Sequence, residues 1–146
     1  MRVETSDTSR IPIIRLYGYL IVSIQVALSD RLVAQLKDDT TALIERTEAR
    51  GLIIDLSGID VMDSYISRAI RDLGMVARLM GVETVISGMD SMIAMTLVEM
   101  GLSLSGVSCS LNLETAIEML DRVADADPGD ADDDEPAPAP AAADVF

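Results

Sequence analysis

Five short apolar runs are spaced along residues 11–122, and each is too short for a free-standing helix. Isoleucine, leucine and valine are frequent in these runs, as is typical of buried strands. Pro12 assigns the first run to an edge of the sheet, because proline cannot donate the backbone hydrogen bond that a central strand needs. Gly18 marks a turn through which the first two strands can pair as a hairpin. The predicted strands are 11–17, 20–24, 52–56, 84–87 and 107–111.

Each of the last four runs is followed by a segment in which apolar residues recur every three or four positions, which predicts a helix in each. The alternation of strands and helices predicts an α/β fold with a mixed, mostly parallel sheet, an N-terminal hairpin at its edge and about four crossover or flanking helices. The predicted N-caps are Ser29, Asp63 or Ser64, Asp90 or Ser91, and Asn112. The predicted stops of the first three helices are Gly51, Gly81 and Gly101.

Composition divides the chain into three parts. Residues 1–10 are polar, 11–123 carry the periodic pattern, and 124–146 consist mainly of acids, proline and alanine. A segment without apolar periodicity cannot bury enough surface to offset the entropy lost on ordering. We therefore predict a disordered N-terminus, one domain, and an acidic disordered tail.

The net charge of −14 is unevenly placed, since residues 124–146 hold eight acids and no base, whereas 1–123 hold seventeen acids and eleven bases. Such an acidic chain disfavours nucleic acid and anionic membrane surfaces as partners. No apolar stretch is long enough for a membrane span, and 1–10 do not resemble a signal peptide. The lone Cys109 cannot form an internal disulfide, which favours the cytoplasm.

Enzyme chemistry finds little support. The chain has no histidine, the commonest general base, and no glycine-rich loop that would cradle a phosphate. Cys109 lies in a predicted strand without a histidine to activate it. Asp55, Asp60 and Asp63 surround one strand end and could hold Mg²⁺ in a metal-dependent hydrolase, although short polar residues also suit turns and caps. The prediction is a non-enzymatic protein without a resident metal or cofactor.

Ser64 stands where a predicted strand ends and a predicted helix begins. In one interpretation, Asp63 or Ser64 only caps the helix. In the other, the Ser64 hydroxyl accepts a phosphoryl group of about −1.5 to −2 charge, which the helix amino terminus stabilises. Both roles can coexist, and Arg68, one turn further on, would approach the phosphate. The predicted solvent side of this helix comprises Ser67, Arg68, Arg71, Asp72 and Arg78.

Three stretches, IPIIRLYGYLIVSIQ, GLIIDLSGIDVMDSYI and LMGVETVISGMDSMIAMTLVEMGL, resemble the STAS domains of bacterial antagonist proteins, most closely the RsbS-type scaffold components of the stressosome. The resemblance covers almost the whole predicted domain and implies the STAS fold. It also implies that Ser64 is the phosphorylation site, and that Thr96 lies near a second phosphorylated position of longer paralogues. The candidate partner-binding residues are Asp63, Tyr65, Arg68 and Arg71.

The resemblance implies a cytoplasmic stress-response scaffold with a phosphorylation switch. Unmodified, it would pack with RsbR-like STAS paralogues and sequester an RsbT-like serine/threonine switch kinase. Phosphorylation of Ser64 would release the kinase, and a PP2C-like phosphatase would reset the site. The alternative is an anti-anti-sigma factor that binds an anti-sigma kinase one to one. Members of that class usually follow the serine with a small residue and glycine, whereas Tyr65 and Ile66 follow Ser64 here.

Overall fold

The computed structural model describes residues 11–25, 27–101, 104 and 106–125, which form five strands and four helices. This composition confirms the predicted α/β class. The strands are β1 (Ile13–Leu16), β2 (Tyr19–Ser23), β3 (Gly51–Asp55), β4 (Thr84–Ser87) and β5 (Ser108–Ser110). The helices are α1 (Asp30–Thr47), α2 (Ser64–Leu79), α3 (Ser91–Glu99) and α4 (Leu113–Asp125).

The strands lie in the order β1-β2-β3-β4-β5, so that spatial order follows chain order. β1 pairs with β2 in antiparallel fashion, and the other three pairings are parallel. Leu16 faces Tyr19 across a two-residue turn in which Tyr17 and Gly18 have φ angles of 56° and 85°. Positive φ at both positions suits the right-handed twist of a hairpin. The predicted hairpin and its edge position are confirmed.

Helices cover both faces of the sheet, which explains why the central strands are apolar without alternation. Leu52 and Ile54 of β3 belong to one core cluster, which also contains buried residues of α1, α2 and α3. Ile53, between them, belongs to a second cluster with Leu120 of α4. Successive side chains of a strand point to opposite faces, so a strand covered on both faces reads as a continuous apolar run.

The end of α1 differs from the prediction. The helix ends at Thr47, and Glu48 adopts a left-handed conformation with φ 51° and ψ 53°. Gly51, the predicted helix stop, is instead the first residue of β3. A Cβ added there would lie 2.8 Å from Leu120 Cδ1, so the absence of a side chain allows α4 to approach the sheet.

β1 and β5 are shorter than predicted, because only part of each of these two apolar runs forms ladder hydrogen bonds. β5, for example, comprises Ser108–Ser110 rather than 107–111. α4 continues through 124–125, two residues into the segment assigned to the tail. The predictions of disorder for residues 1–10 and for the rest of the tail concern residues outside those described.

Candidate functional site

The carboxyl end of β3 is held in place by its last residue, Asp55. The Asp55 carboxylate accepts hydrogen bonds from the Ser57 backbone N–H at 3.2 Å and from the Ser57 hydroxyl at 2.9 Å. The Ser87 hydroxyl, at the end of β4, lies 3.4 Å from the same carboxylate. This network joins the ends of two parallel strands and positions the connector that leads to α2.

Asp63 is the N-cap of α2. Its backbone is extended, with φ −125° and ψ 178°, and its Oδ1 atom accepts the Ile66 backbone N–H at 2.8 Å. Its carbonyl oxygen accepts both the backbone N–H and the hydroxyl of Ser67, each at 3.0 Å. The sequence predicts either Asp63 or Ser64 as the N-cap of α2, and in the structure the N-cap is Asp63.

Ser64 is therefore the first helical residue, and it is partly exposed. Within the described part of the chain, its hydroxyl makes no hydrogen bond. The first backbone N–H groups of a helix lack intrahelical partners, and the helix dipole favours negative charge at this end. Among the described residues the hydroxyl thus contributes no hydrogen bond to the fold, and it lies where an added phosphate would be stabilised.

The other predicted partner-binding residues spread from this point along α2. The Tyr65 hydroxyl donates a hydrogen bond to the Asp30 carboxylate at the start of α1, and this bond raises the tyrosine pKa above its usual value. Arg68 is exposed one turn beyond Ser64. Arg71 is partly exposed, with its Nη2 atom 3.4 Å from Asp72 Oδ1. Asp63, Ser64 and Tyr65 lie together at the helix start, whereas Arg71 is two turns away.

A shallow cavity of about 320 Å³ lies beside the start of α2. Asp60 and Asp63 contribute its acidic groups, and Val61 is 71% exposed at its edge. The remaining lining residues are Gln25, Ala27, Gly58, Ile59 and Ile66. The site therefore combines a free hydroxyl, two carboxylates and an exposed apolar side chain, a set that suits contact with another protein.

The start of α3 repeats the geometry of the start of α2. Asp90 is the N-cap and accepts the Ile93 backbone N–H at 2.9 Å, which leaves Ser91 as the first helical residue. The signal for this was present in the sequence, where the dipeptide Asp-Ser occurs before both helices. Thr96, the second predicted phosphorylation position, lies further along α3, and its hydroxyl donates to the Met92 carbonyl oxygen at 2.8 Å.

The structure does not assemble a metal site from Asp55, Asp60 and Asp63. Among the described residues, no group of three or more acidic, cysteine or histidine side chains could hold a metal ion. Burial raises the pKa of the Cys109 thiol, which makes this thiol a poorer nucleophile at neutral pH. Within residues 11–25, 27–101, 104 and 106–125, no helix has the length and apolar character that a membrane crossing requires.

The architecture is that of a known family of domains. The sequence profile of the STAS domain matches residues 5–116, and the chain belongs to this family. Two solved structures are similar over nearly their whole length. RsbS of Moorella thermoacetica, in a variant with serine replaced by glutamate, is 33% identical with a TM-score of 0.69, covering 79% of this chain and 97% of that one. A chain from the stressosome, described as a signal integration and transduction hub, is 34% identical with a TM-score of 0.69, covering 77% and 98%.

Two curated relatives in Bacillus subtilis are longer proteins. The RsbT co-antagonist protein RsbRC is 41% identical over 66 residues, which are 45% of this chain and 23% of RsbRC. The co-antagonist RsbRB is 31% identical over 80 residues, which are 55% of this chain and 29% of RsbRB. The chain thus spans less than a third of the length of these relatives. The predicted resemblance to RsbS-type STAS antagonists and the predicted STAS fold are confirmed.

Proposed function

We propose that this chain is a non-enzymatic STAS antagonist of a stressosome-like complex, in which phosphorylation of Ser64 controls the binding of a switch kinase. In the unmodified state, it packs with RsbR-like paralogues and sequesters an RsbT-like kinase. Phosphorylation releases the kinase, and a PP2C-like phosphatase resets the site. The observation that carries the proposal is that Asp63, and not Ser64, caps α2. The hydroxyl of Ser64, at the first helical position, is therefore not needed for the cap. The similarity to RsbS and to RsbT co-antagonist proteins supports an RsbT-like kinase and RsbR-like paralogues as the partners.

Charge is the physical basis of the proposed release. A phosphoryl group would add about −1.5 to −2 charge to a site that already carries Asp60 and Asp63. A partner that presents acidic groups to this surface would be repelled, whereas the helix start itself favours the phosphate by about 0.3–1 kcal/mol. Each 1.4 kcal/mol of lost binding changes the affinity about tenfold, so a modest repulsion suffices. ATP is the substrate of the kinase, and the switch would operate in the cytoplasm.

The test begins with the cognate kinase and ATP, followed by mapping of the phosphate. We expect the native chain and Thr96→Ala to be labelled on Ser64, and Ser64→Ala to remain unlabelled. Retention of full labelling by Ser64→Ala would contradict the site assignment. A megadalton assembly with long STAS paralogues supports the scaffold, whereas a small binary complex with an anti-sigma kinase would favour the anti-anti-sigma alternative.

The affinity of the kinase for variants of this chain tests the switch itself. Ser64→Asp should weaken the kinase complex by about 10- to 100-fold, equivalent to about 1.4–2.8 kcal/mol, as measured by titration calorimetry. Ser91→Asp is the matched control, since it adds the same charge at the first position of α3, after a similar aspartate cap. The switch would be refuted if Ser64→Asp bound the kinase as tightly as the native chain, or if Ser91→Asp weakened the complex equally.

A further inference from the structure

One exposed face of α2 combines guanidinium groups with apolar side chains. Arg68, Arg71, Met75, Arg78 and Leu79 follow one another at spacings of one, three or four residues, which places them in a single stripe along the helix. Met75 is 50% exposed and Leu79 is 86% exposed. Large apolar side chains exposed beside arginines are typical of surfaces that bind another chain.

The stripe borders a groove of about 550 Å³. We call it the arginine groove, and it is lined by Arg71, Met75, Arg78, Leu79 and Gly106. A Cβ on Gly106 would lie 3.4 Å from Arg78 Nη1, so the glycine keeps the space beside this guanidinium open. The groove is therefore a concave surface with an apolar floor and two positive charges.

The positive charge of this face is poorly neutralised by the rest of the fold. Arg71 pairs at 3.4 Å with its neighbour Asp72, whose other carboxylate oxygen lies 3.8 Å from Lys37 Nζ. Within the described ranges, Arg68 and Arg78 have no ion-pair partner. Although the chain has a net charge of −14, this face is positively charged and can therefore attract carboxylates.

A segment of suitable chemistry follows directly after α4. Residues 126–146 contain seven acids and no base, four of the acids being consecutive at 132–135. α4 packs on the opposite face of the sheet from α2, but its last turn and the groove both border the edge of the sheet at β5. Val123 of α4 lines a cavity with Ser108 of β5, and Gly106 of the groove precedes Ser108 by two residues. An extended chain spans about 3.3–3.6 Å per residue, so Asp132 can reach about 23–25 Å from Asp125.

We propose that the acidic segment 126–146 binds back onto the arginine groove through carboxylate–guanidinium pairs. Each exposed pair contributes little, but several pairs on a tethered segment act at a local concentration in the millimolar range. Such pairing requires no regular secondary structure in the segment, and it weakens as salt shortens the Debye length to about 8 Å at 0.15 M. The proposal does not depend on the phosphorylation of Ser64.

Nuclear magnetic resonance of the full chain tests this contact. Asp132→Asn, Asp133→Asn, Asp134→Asn and Glu135→Gln are combined in one variant, which leaves the folded domain untouched. We expect this variant to shift the side-chain Nε–H signals of Arg71 and Arg78, and the backbone amide of Gly106, relative to the native chain. The signals of Arg31 and Arg46, on α1, serve as controls and should stay in place. High salt should reproduce the shifts in the native chain and produce severalfold smaller ones in the variant.

The same experiment identifies other occupants. In one outcome, the signals of the native chain move towards those of the variant when the native chain is diluted. That result would show that the groove binds the tail of a second copy, and it would overturn the intramolecular contact. Equal shifts at Arg31 and Arg46 would indicate a general charge effect and would also overturn it. If the Arg71 and Arg78 signals are the same in the native chain and the variant, the proposal is refuted. The groove would then be available to an acidic partner protein.

Discussion

At the residue scale, the start of α2 assigns capping to one side chain and leaves the next one free. The Asp63 carboxylate accepts the Ile66 N–H, and its carbonyl oxygen accepts both the backbone N–H and the hydroxyl of Ser67. Ser64 contributes its backbone to the helix and makes no side-chain hydrogen bond within the described residues. The helix cap and the proposed modification site therefore lie at adjacent positions.

This separation predicts a difference between two substitutions of Asp63. Asp63→Ala should lower the free energy of unfolding by about 0.5–2 kcal/mol, because the Ile66 N–H loses its acceptor. Asp63→Asn keeps an acceptor oxygen and should cost only a fraction of that. Urea denaturation measures both, with Asp90→Ala as the corresponding change on α3. A native-like stability of Asp63→Ala would show that the cap has no weight in the folded state.

The sequence predicted the Asp-Ser start, because short polar residues before an apolar periodic segment are typical of caps. The prediction for Ser67 is wrong, because this residue belongs to the predicted solvent side of α2 but is only 3% exposed. Polarity suggested exposure, whereas the hydroxyl is satisfied by the Asp63 carbonyl oxygen one turn earlier. The bond between Tyr65 and Asp30 was also beyond prediction, since it joins residues 35 positions apart.

At the element scale, α2 lies close to the segment that leads into β5 because it contains Gly74. The residue is buried, and a Cβ added to it would lie 2.5 Å from Val107 Cγ1. A valine side chain has little rotamer freedom with which to withdraw. The glycine therefore sets how closely α2 and the edge of the sheet approach each other.

We expect Gly74→Ala to destabilise the protein, although alanine favours helices by about 1 kcal/mol over glycine. Overpacking costs about 1–3 kcal/mol and should exceed that gain. Val107→Ala alone should also destabilise, but it should remove the clash, so that Gly74→Ala added to it becomes neutral or stabilising. A double-mutant cycle of urea midpoints measures this coupling. Additive effects of the two substitutions would contradict the contact.

Element types could be predicted from the chain because the apolar period differs between strands and helices. Boundaries could not, and Gly51 shows the reason. A glycine after a helical pattern suggests a helix stop, but this one is needed by Leu120, which is distant in sequence. Glu48 terminates α1 in the left-handed conformation without the glycine or asparagine that usually marks it.

At the scale of the whole molecule, three polar side chains connect α4 to the sheet. The Tyr19 hydroxyl of β2 donates to the Asp121 carboxylate of α4. Arg50 lies 4.9 Å from the centre of the Tyr19 ring, and its Nη2 atom lies 3.7 Å from Asp121 Oδ1. The cluster connects β2, the approach to β3 and α4.

This cluster predicts a loss of stability in alkaline solution. Burial, with the hydrogen bond to Asp121, raises the pKa of Tyr19 to about 12 from 10.0. Because the unfolded chain releases this proton first, the contribution of Tyr19 is complete below pH 10 and is lost as the pH rises to about 12. Tyr19→Phe should flatten the decline in the free energy of unfolding across this window by about 1–3 kcal/mol, as measured by urea denaturation at each pH. Tyr17→Phe, at a residue 73% exposed, is the control and should leave the decline unchanged.

The free hydroxyl of Ser64 has a kinetic consequence for any reaction that modifies it. Because Asp63, and not Ser64, caps the helix, esterification or hydrolysis at Ser64 breaks no capping hydrogen bond, and the domain need not cross a refolding barrier. Both forms should then share one backbone conformation. The tempo of such a switch would follow the turnover of the modifying enzymes, and not any internal relaxation of the domain.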